Sequence, residues 1–581
     1  MGMRKIWSKE LILIVLISII ASMLGGCDRA QEQQKEAAPT PTVMLEEATR
    51  VPTQVPEAIE EKPVYPMQLG TVEIHQELVY SEDFENSQTD VLGRGAAKVI
   101  LQSNQFYEGT SSLIVTGRTA IWNGATIDLT KTLVVGESYQ VEAYVMYENG
   151  PDTIQFDCKV EKNSSEYLNF ASNIAKLGEW TLLTGSIIIP EGTTSASVYF
   201  ETTIGGNGID FIDFYVDEIK ITKEDVTASR GELPSLKRVY EDRYSIGVAA
   251  TVNEITEPRK QLISEQFNSL TPGNELKPDS LLDYAACTSD AKFNDNPQVN
   301  FSRVDPLFQF CKENQIAMRG HVLVWHSQTP RWFFAEGYSM EAQAPLVSKD
   351  LMQKRLENYI KNVLEYTQNN YPGMIYAWDV VNEAINPSDG EEGGYRSKDS
   401  LWYQVMGPEF VEKAFEYARK YAAPEIKLFY NDYNTEDSAR MLAICDLVEG
   451  LKAKGLIDGI GLQTHISSDH PSLIDIESSM REYGEFGLEI QITELDMGMV
   501  DNTEEAYMHQ ATRYKRLFTL FKHLDDTGAA NITNITFWGL SDDISWLSKP
   551  GVPSYPLLFD QYLIQKPAFW AVILSEDIPL Y

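Results

Sequence analysis

The amino-acid sequence predicts an α/β protein in which an all-β jelly-roll sandwich precedes a (β/α)8 barrel, or TIM barrel. Three observations in the 581-residue chain predict this fold class. Apolar and polar residues alternate between about residues 78 and 221, which is typical of half-buried strands. From about residue 240, apolar strands alternate with amphipathic helices, which is typical of a parallel sheet. Residues 28–76 follow neither pattern and are rich in Gln, Glu, Pro and Thr.

These patterns divide the chain into four segments. We expect a targeting segment at 1–26, a disordered tether at 27–77, the sandwich at 78–225 and the barrel at 226–581. The formal net charge is −37, so phosphate backbones would be repelled and nucleic acid is excluded as a partner.

The N-terminal segment has the features of a bacterial export signal. Positive charges at Arg4, Lys5 and Lys9 precede an apolar run, residues 11–24, that is shorter than a membrane-spanning helix. Leu-Gly-Gly-Cys, ending at Cys27, then resembles the lipobox of bacterial lipoproteins. That resemblance implies acylation of Cys27 and a membrane-anchored protein on the bacterial cell surface. The alternative is an ordinary signal peptide followed by a chance cysteine.

The sandwich is predicted from its two-residue periodicity. In the segments 139–147 and 154–160, every second residue is apolar and most residues between them are polar. The runs WTLLTGSIII, SASVYFET and FIDFYVDEIKI also have strand composition, and clusters of Gly, Asn and Asp separate them. Short strands without helical stretches predict two packed antiparallel sheets.

The barrel is predicted from eight strand-like runs separated by helical ones. The strands are SIGVAA, QFNSLTP, IAMRGHVLV, 375–381, 426–430, 459–464, 488–493 and 532–538. Amphipathic helices are expected at about 352–371, 410–421, 439–454, 472–483 and 504–523. Right-handed βαβ units of this number close into a barrel.

Polar residues gather where the predicted strands end, which is where barrel enzymes place their chemistry. Glu383 follows the fourth strand and Glu494 follows the seventh, while Asn431 ends the fifth. Hydrolysis of an acetal needs one carboxylic acid and one carboxylate. A single glutamate after a strand would be interpreted as a helix cap, but the whole set on one rim predicts an active site. Aromatic walls and neutral polar groups for a sugar would come from Trp325, Trp538, Trp546, Asn382, Gln463 and His321.

The motifs WDVVNEA, ITELD, GLQTHIS, RGHVLVWHSQTP, LFYNDYN and TFWGLSDDISW resemble those of glycoside hydrolase family 10, the retaining endo-β-1,4-xylanases. The resemblance spans about residues 240–575. It implies that Glu383 is the general acid/base and Glu494 the nucleophile, with no cofactor for catalysis and with xylan and xylo-oligosaccharides as ligands. It further implies substrate-binding or supporting roles for Asn274, Lys277, His321, Trp325, Gln328, Asn382, Tyr433, Gln463, His465, Asp496, Trp538 and Trp546.

One position departs from the family pattern. The family usually has Glu directly before the Asn of its second-strand motif, and this chain has Gly273 before Asn274. The resemblance therefore leaves open which carboxylate holds the next sugar along. Glu275, two residues further on, is an alternative source of that carboxylate.

The sandwich resembles carbohydrate-binding module family 22 in the stretches EDFEN, GRGAAKV, EGTSSLIVTGRTAIWNGA, YFET and FYVDEI. This implies a xylan-binding cleft lined by Arg94, Trp122, Tyr167 and Glu201. Trp122 would otherwise be a core residue, but the turn dipeptide that follows it favours exposure. Candidate ligands for a structural calcium are Asp83, Glu85 and Asp217, with ordinary surface carboxylates as the alternative.

Three alternative functions stay open at this point. A metallohydrolase is disfavoured because the chain has no HExxH motif, and a purely binding protein because both glutamates are present. A β-glycanase acting on mixed-linkage glucan is not separated from a xylanase by sequence. We expect a monomer, and the sequence does not decide whether Cys158, Cys287, Cys311 and Cys445 form disulfides.

Overall fold

The computed structural model describes residues 70–163, 166–190, 192–202, 211–549 and 552–575. The predicted targeting segment, Cys27 and most of the predicted tether lie outside the described residues. No helix in the described ranges is both long enough and apolar enough to cross a bilayer.

The N-terminal domain is an all-β sandwich, as predicted. Its strands are β1 (Thr71–Glu82), β2 (Leu92–Arg94), β3 (Lys98–Gln102), β4 (Ser112–Thr116), β5 (Gly124–Asp128), β6 (Ser138–Met146), β7 (Thr153–Asn163), β8 (Glu166–Lys176), β9 (Thr181–Ile188), β10 (Ser197–Thr202) and β11 (Phe214–Ser229). One antiparallel sheet has the order β3-β4-β11-β6-β9, with β1 also paired to β11, and the second has the order β2-β5-β10-β7-β8. The predicted inward residues, such as Val141, Val145, Phe156 and Val160, are buried between them.

The sandwich begins earlier than the boundary predicted at residue 78. Strand β1 starts at Thr71, which pairs with Ser229 at the end of β11, so the last strand also passes the predicted end at 225. Apolar Val72, Ile74, Leu78 and Tyr80 alternate with mostly polar residues in β1, but most of the strand is exposed. The alternation thus begins upstream of the boundary predicted at residue 78.

The C-terminal domain is a closed parallel barrel of eight strands, as predicted. Its strands are β12 (Ser245–Ala250), β13 (Ser269–Pro272), β14 (Ala317–Trp325), β15 (Ile375–Asn382), β16 (Lys427–Asp432), β17 (Gly459–Leu462), β19 (Glu489–Gly498) and β20 (Asn531–Phe537), with the short β18 (His465–Ser467) added beside β19. Each strand pairs with its neighbours in this order, β17 pairs with β19, and β20 returns to β12.

One short helix precedes the first barrel strand, and the others follow the strands, with the long ones covering the outside of the barrel. They are α1 (Leu236–Val239), α2 (Arg259–Gln266), α3 (Pro278–Leu281), α4 (Tyr284–Thr288), α5 (Asp305–Asn314), α6 (Lys349–Asn370), α7 (Leu401–Met406), α8 (Glu409–Tyr421), α9 (Ser438–Ala453), α10 (Leu473–Gly484), α11 (Glu504–Asp526) and α12 (Pro567–Ile573). Helix α6 buries Met352, Leu356, Tyr359, Ile360 and Val363, the stripe predicted from the sequence. Packing of such stripes against the strands leaves the carboxyl ends of the strands free to form a cleft.

Candidate active site

A cleft of about 700 Å³ opens at the carboxyl ends of the barrel strands. Both predicted catalytic glutamates line it, together with every predicted substrate-binding residue except Asp496. Asp496 is buried, with its carboxylate 3.0 Å from Nδ1 of His465 and bonded to Nε1 of Trp546. The predicted residues therefore come together as one site, with Asp496 as a support from behind.

Several loops at this rim begin with a residue in the left-handed conformation. Gln328, Glu383, Asn434 and Thr464 have φ between 42° and 59°, and they follow β14, β15, β16 and β17 respectively. This conformation is unfavourable for residues with a Cβ and is often found at functional sites, where surrounding contacts hold it. The rim is thus a strained part of a regular fold.

Glu383 lies directly after β15 and receives hydrogen bonds on both carboxylate oxygens. The indole of Trp325 donates to Oε2 at 3.0 Å. The amides of Asn382 and Gln463 donate to Oε1, each at 3.0 Å. These neutral donors orient the carboxylate without a directly bonded cation.

Glu494 is more deeply buried and is held by different groups. Asn431 donates from Nδ2 to Oε1 at 2.8 Å, and His465 Nε2 lies 3.3 Å from Oε2. Burial alone would raise the pKa of the Glu494 carboxyl, but the hydrogen bond from His465 and the charges of His321 and His465 hold it below its ordinary value. Glu494 is therefore ionised, as a nucleophilic carboxylate must be.

Asn431 connects the two glutamates. The same Nδ2 atom that contacts Glu494 also donates to Oδ1 of Asn382, whose own amide nitrogen bonds to Glu383. Thr493 Oγ1 donates to Oδ1 of Asn431 at 2.6 Å and fixes the amide orientation. The sequence indicates Asn431 only as a polar strand-end residue, because its role depends on a contact across the barrel.

A buried ion pair supports the floor of the cleft. Arg319 forms two hydrogen bonds to Asp379, and His321 Nδ1 lies 2.9 Å from the same carboxylate. Burial would raise the pKa of Asp379, but the charge of Arg319 outweighs it and the pKa lies below its ordinary value. The contact of Nδ1 with Asp379 leaves the other ring nitrogen of His321 for the cleft.

Aromatic side chains form the walls of the cleft. Trp538 meets the ring of His321 edge to face at 5.4 Å, and Trp546 meets His465 at 5.0 Å. Trp546 is 51% exposed, so its ring is open to a ligand. Lys277 lies 5.0 Å from the centre of the Trp325 ring, and burial lowers the pKa of its ammonium group. Rings beside polar donors suit a pyranose, which has apolar faces and a polar edge.

The surroundings of Gly273 show whether Glu275 could supply the carboxylate that the family usually has at position 273. The Glu275 carboxylate accepts hydrogen bonds from the backbone amides of Val252 and Asn274 and does not line the cleft. Glu254 does line it, near Gly273 and Thr251. Glu275 as a substitute carboxylate is therefore disfavoured by its position.

The sandwich has a smaller cleft of about 370 Å³ that contains all four predicted residues. Arg94 pairs with Glu201 at 2.7 Å and lies 5.4 Å from the Trp122 ring and 5.1 Å from the Tyr167 ring. Trp122 is 49% exposed, which excludes the core interpretation. Lys159, which the sequence does not indicate, adds a second cation to Glu201 at 2.8 Å.

Asp83, Glu85 and Asp217, the predicted calcium ligands, are not grouped as a metal site in the described residues. Glu85 accepts hydrogen bonds from the amides of Thr110 and Ser111, and Asp217 accepts one from the amide of Tyr107. These hydrogen bonds from backbone amides hold the loop of residues 107–111 against the carboxylates. Across the described ranges, no group of three or more His, Cys, Asp or Glu could hold a metal ion. The four cysteines in those ranges are unpaired.

The protein has a (β/α)8 barrel, and its two glutamates are connected by hydrogen bonds through the side-chain amides of Asn382 and Asn431, between aromatic walls. This fold and site are those of the barrel-type glycosidases. The chain belongs to glycosyl hydrolase family 10, whose family model matches residues 235–575. Residues 76–206 match a carbohydrate binding domain model.

Two curated relatives show how far the likeness extends. Endo-1,4-beta-xylanase A of Thermotoga maritima is 37% identical over 535 residues, covering 88% of this chain and 47% of the relative. Endo-1,4-beta-xylanase B of Butyrivibrio fibrisolvens is 45% identical over 350 residues, covering 59% and 54%. The chain therefore spans about half the length of these relatives.

A solved structure matches both domains. It contains the CBM22-1 and GH10 modules of an endo-1,4-beta-D-xylanase from Clostridium thermocellum in complex with xylohexaose. That structure is 30% identical with a TM-score of 0.56, and the match covers 87% of this chain and 98% of the other.

Proposed function

We propose that the protein hydrolyses internal β-1,4-xylosidic bonds of xylan by a retaining double displacement. The observation that carries this proposal is the pair Glu383 and Glu494, joined through Asn382 and Asn431 but placed in different environments. The names of the relatives and the xylohexaose complex of the Clostridium thermocellum modules support xylan as the polymer.

In the first step, the ionised Glu494 attacks the anomeric carbon while Glu383 protonates the leaving oxygen. The glycosidic bond breaks, and a covalent glycosyl–Glu494 ester forms. In the second step, Glu383 takes a proton from water as the water attacks the same carbon, which releases Glu494 as a carboxylate. Two inversions give net retention, and Glu383 regains its proton.

The other residues of the cleft bind the substrate in this proposal. Asn382 and Gln463, which contact Glu383, would hold the 2-hydroxyl of the cleaved sugar. His465, backed by Asp496, steadies Glu494. The remaining substrate contacts would come from Asn274, Lys277, His321, Trp325, Gln328, Tyr433, Trp538 and Trp546.

We also propose that the sandwich binds xylan through its own cleft and that the protein is held at the bacterial cell surface by lipid on Cys27. The exposed rings of Trp122 and Tyr167 support the first proposal, because sugar faces stack on exposed aromatic rings. The lipobox-like Leu-Gly-Gly-Cys supports the second.

The deciding experiment measures sugar release from xylan, mixed-linkage glucan and cellulose side by side. We expect xylo-oligosaccharides of several lengths from xylan, as an endo-acting enzyme gives, and a β-anomer as the first product by NMR. Faster release from either glucan would reassign the substrate. An α-anomer would refute the retaining mechanism.

A further inference from the structure

Arg396, which follows β15 in the next loop, contacts the main chain of Glu383. Its Nε atom donates to the Glu383 carbonyl oxygen at 2.9 Å, while the Glu383 amide donates to the carbonyl of Asn431, also at 2.9 Å. Glu383 has φ of 56°, so these two bonds fix a backbone conformation that its own side chain disfavours.

Arg396 is itself held on its other nitrogens. One terminal nitrogen lies 3.1 Å from the carboxylate of Asp399, and the other donates to the hydroxyl of Tyr433 at 2.9 Å. The Arg396 amide also donates to the carbonyl of Ala384, and the residue is buried. A planar guanidinium with three fixed partners is a rigid support, which an ammonium group cannot reproduce.

We infer that Arg396 is a positioning residue for the acid/base function of Glu383. Its hydrogen bond to the Glu383 carbonyl holds the left-handed backbone that directs the carboxyl group into the cleft. This inference rests on the proposed function, in which Glu383 protonates the leaving oxygen. Within the described part of the chain, Arg396 forms no hydrogen bond or ion pair with Glu494, so the attack on the anomeric carbon should depend on it much less.

The test compares two leaving groups in Arg396→Lys and Arg396→Gln. Xylan has a poor leaving group and needs the acid, whereas 2,4-dinitrophenyl β-xylobioside has a good one and needs only the nucleophile. We expect kcat/KM on xylan to fall about tenfold or more, and kcat/KM on the aryl substrate to stay within about threefold of the parent enzyme. A general acid contributes about 10²–10⁴-fold, so a partial loss of this size is measurable.

Arg419→Lys is the matched control. Arg419 also donates to a backbone carbonyl, that of Leu456, and to a carboxylate, Asp458, but both contacts lie away from the cleft. We expect it to leave both rates unchanged. Equal losses on both substrates in a folded Arg396→Lys protein would overturn the inference, since a general disturbance of the site would cause them.

Asp399→Asn provides a milder change if Arg396 variants do not fold, because Asp399 is exposed. It weakens the support of Arg396 without removing it. A smaller loss confined to xylan would support the inference, and an equal loss on both substrates would refute it. A parent enzyme that cleaves neither substrate would instead refute the proposed function, and the inference with it.

Discussion

The imidazole of His465 lies between two carboxylates, with Nε2 3.3 Å from Glu494 and Nδ1 3.0 Å from Asp496. Burial alone would lower the pKa of this imidazole, but the charge of Asp496 and the contacts with Glu494 raise it to about 10. His465 is therefore a cation at neutral pH, and it favours the ionised form of Glu494.

This arrangement predicts the acid limb of the pH profile. The pKa of Glu494 lies below its ordinary value, so activity should persist at acid pH and be lost only as pH falls through that lowered pKa. His465→Gln removes the cation, so the acid limb of kcat/KM should move to higher pH. The rate at the optimum should fall roughly ten- to a hundredfold, the worth of a charged hydrogen bond. An acid limb that does not move would contradict this role for His465.

Glu383→Ala should separate the two chemical steps. The variant should lose most activity on xylan but still form the glycosyl ester from an aryl xylobioside with a good leaving group, because Glu494 is intact. Azide should then restore turnover and give a β-glycosyl azide, identified by NMR. Glu494→Ala is the comparison and should abolish turnover on both substrates. An α-glycosyl azide from Glu383→Ala would indicate instead that Glu383 is the nucleophile and Glu494 the acid/base.

Trp122→Ala should remove polymer binding by the sandwich. Stacking with a few hydrogen bonds gives an affinity on the order of 10–100 μM, or roughly 5.5–7 kcal/mol. In a native gel containing soluble xylan, the parent sandwich domain should be retarded and the variant should migrate freely. Phe106→Ala is the matched control, since Phe106 is 42% exposed but does not line that cleft. Equal retardation of the parent domain and Trp122→Ala would place the binding elsewhere.

Gly273→Glu should strengthen binding of short substrates. A Cβ at this position would meet Thr251 Cγ2 at 3.1 Å, so the Thr251 methyl group must move slightly to admit it. A carboxylate bonded to a sugar hydroxyl contributes roughly 1.5–3 kcal/mol. We expect kcat/KM on xylotriose-sized substrates to rise several-fold with little change on polymer, which has many other contacts. Glu275→Ala should lower the melting temperature rather than kcat/KM, because Glu275 bonds to backbone amides.

No increase in Gly273→Glu would indicate that another carboxylate already serves this part of the cleft. Glu254 is the residue to test, since it lines the cleft beside Gly273. Glu254→Gln should then reduce kcat/KM on the short substrates.

Cys27→Ser should prevent attachment of the predicted lipid anchor. We expect the native chain in the membrane fraction with lipid on its mature N-terminus, detected by mass spectrometry. The variant should accumulate as an uncleaved precursor or be processed at another position. A native chain that is soluble and carries no lipid would refute the anchor and leave the enzymology unchanged.

Strand-end residues could be predicted from sequence because a parallel barrel brings every such residue to one rim. Glu383 and Glu494 lie 111 positions apart, yet both line the same rim, because Glu383 directly follows β15 and Glu494 lies in β19, which extends beyond the predicted strand end at 493. The exposed ring of Trp122 could be predicted from local sequence, because the turn dipeptide Asn123-Gly124 follows it.

The role of Arg396 and the start of strand β1 are not predicted from the sequence. Arg396 lies in a long loop without periodicity, and its role depends on the Glu383 carbonyl, which no sequence pattern records. The start of β1 lies beside a segment rich in Gln, Glu, Pro and Thr, and its alternating Val72, Ile74 and Leu78 are mostly exposed in the pairing with β11. The supporting role of Asp496 is implied by the family resemblance, and its contact with His465 shows the geometry of that support.

The pairing of Thr71 with Ser229 means that the polypeptide arrives at the sandwich and departs from it at neighbouring points. The chain therefore enters and leaves the sandwich side by side, and residue 70 could be joined to residue 230 with little change in the path of the chain. Such an attachment allows a whole module to be gained, lost or exchanged during evolution without altering where the following barrel starts.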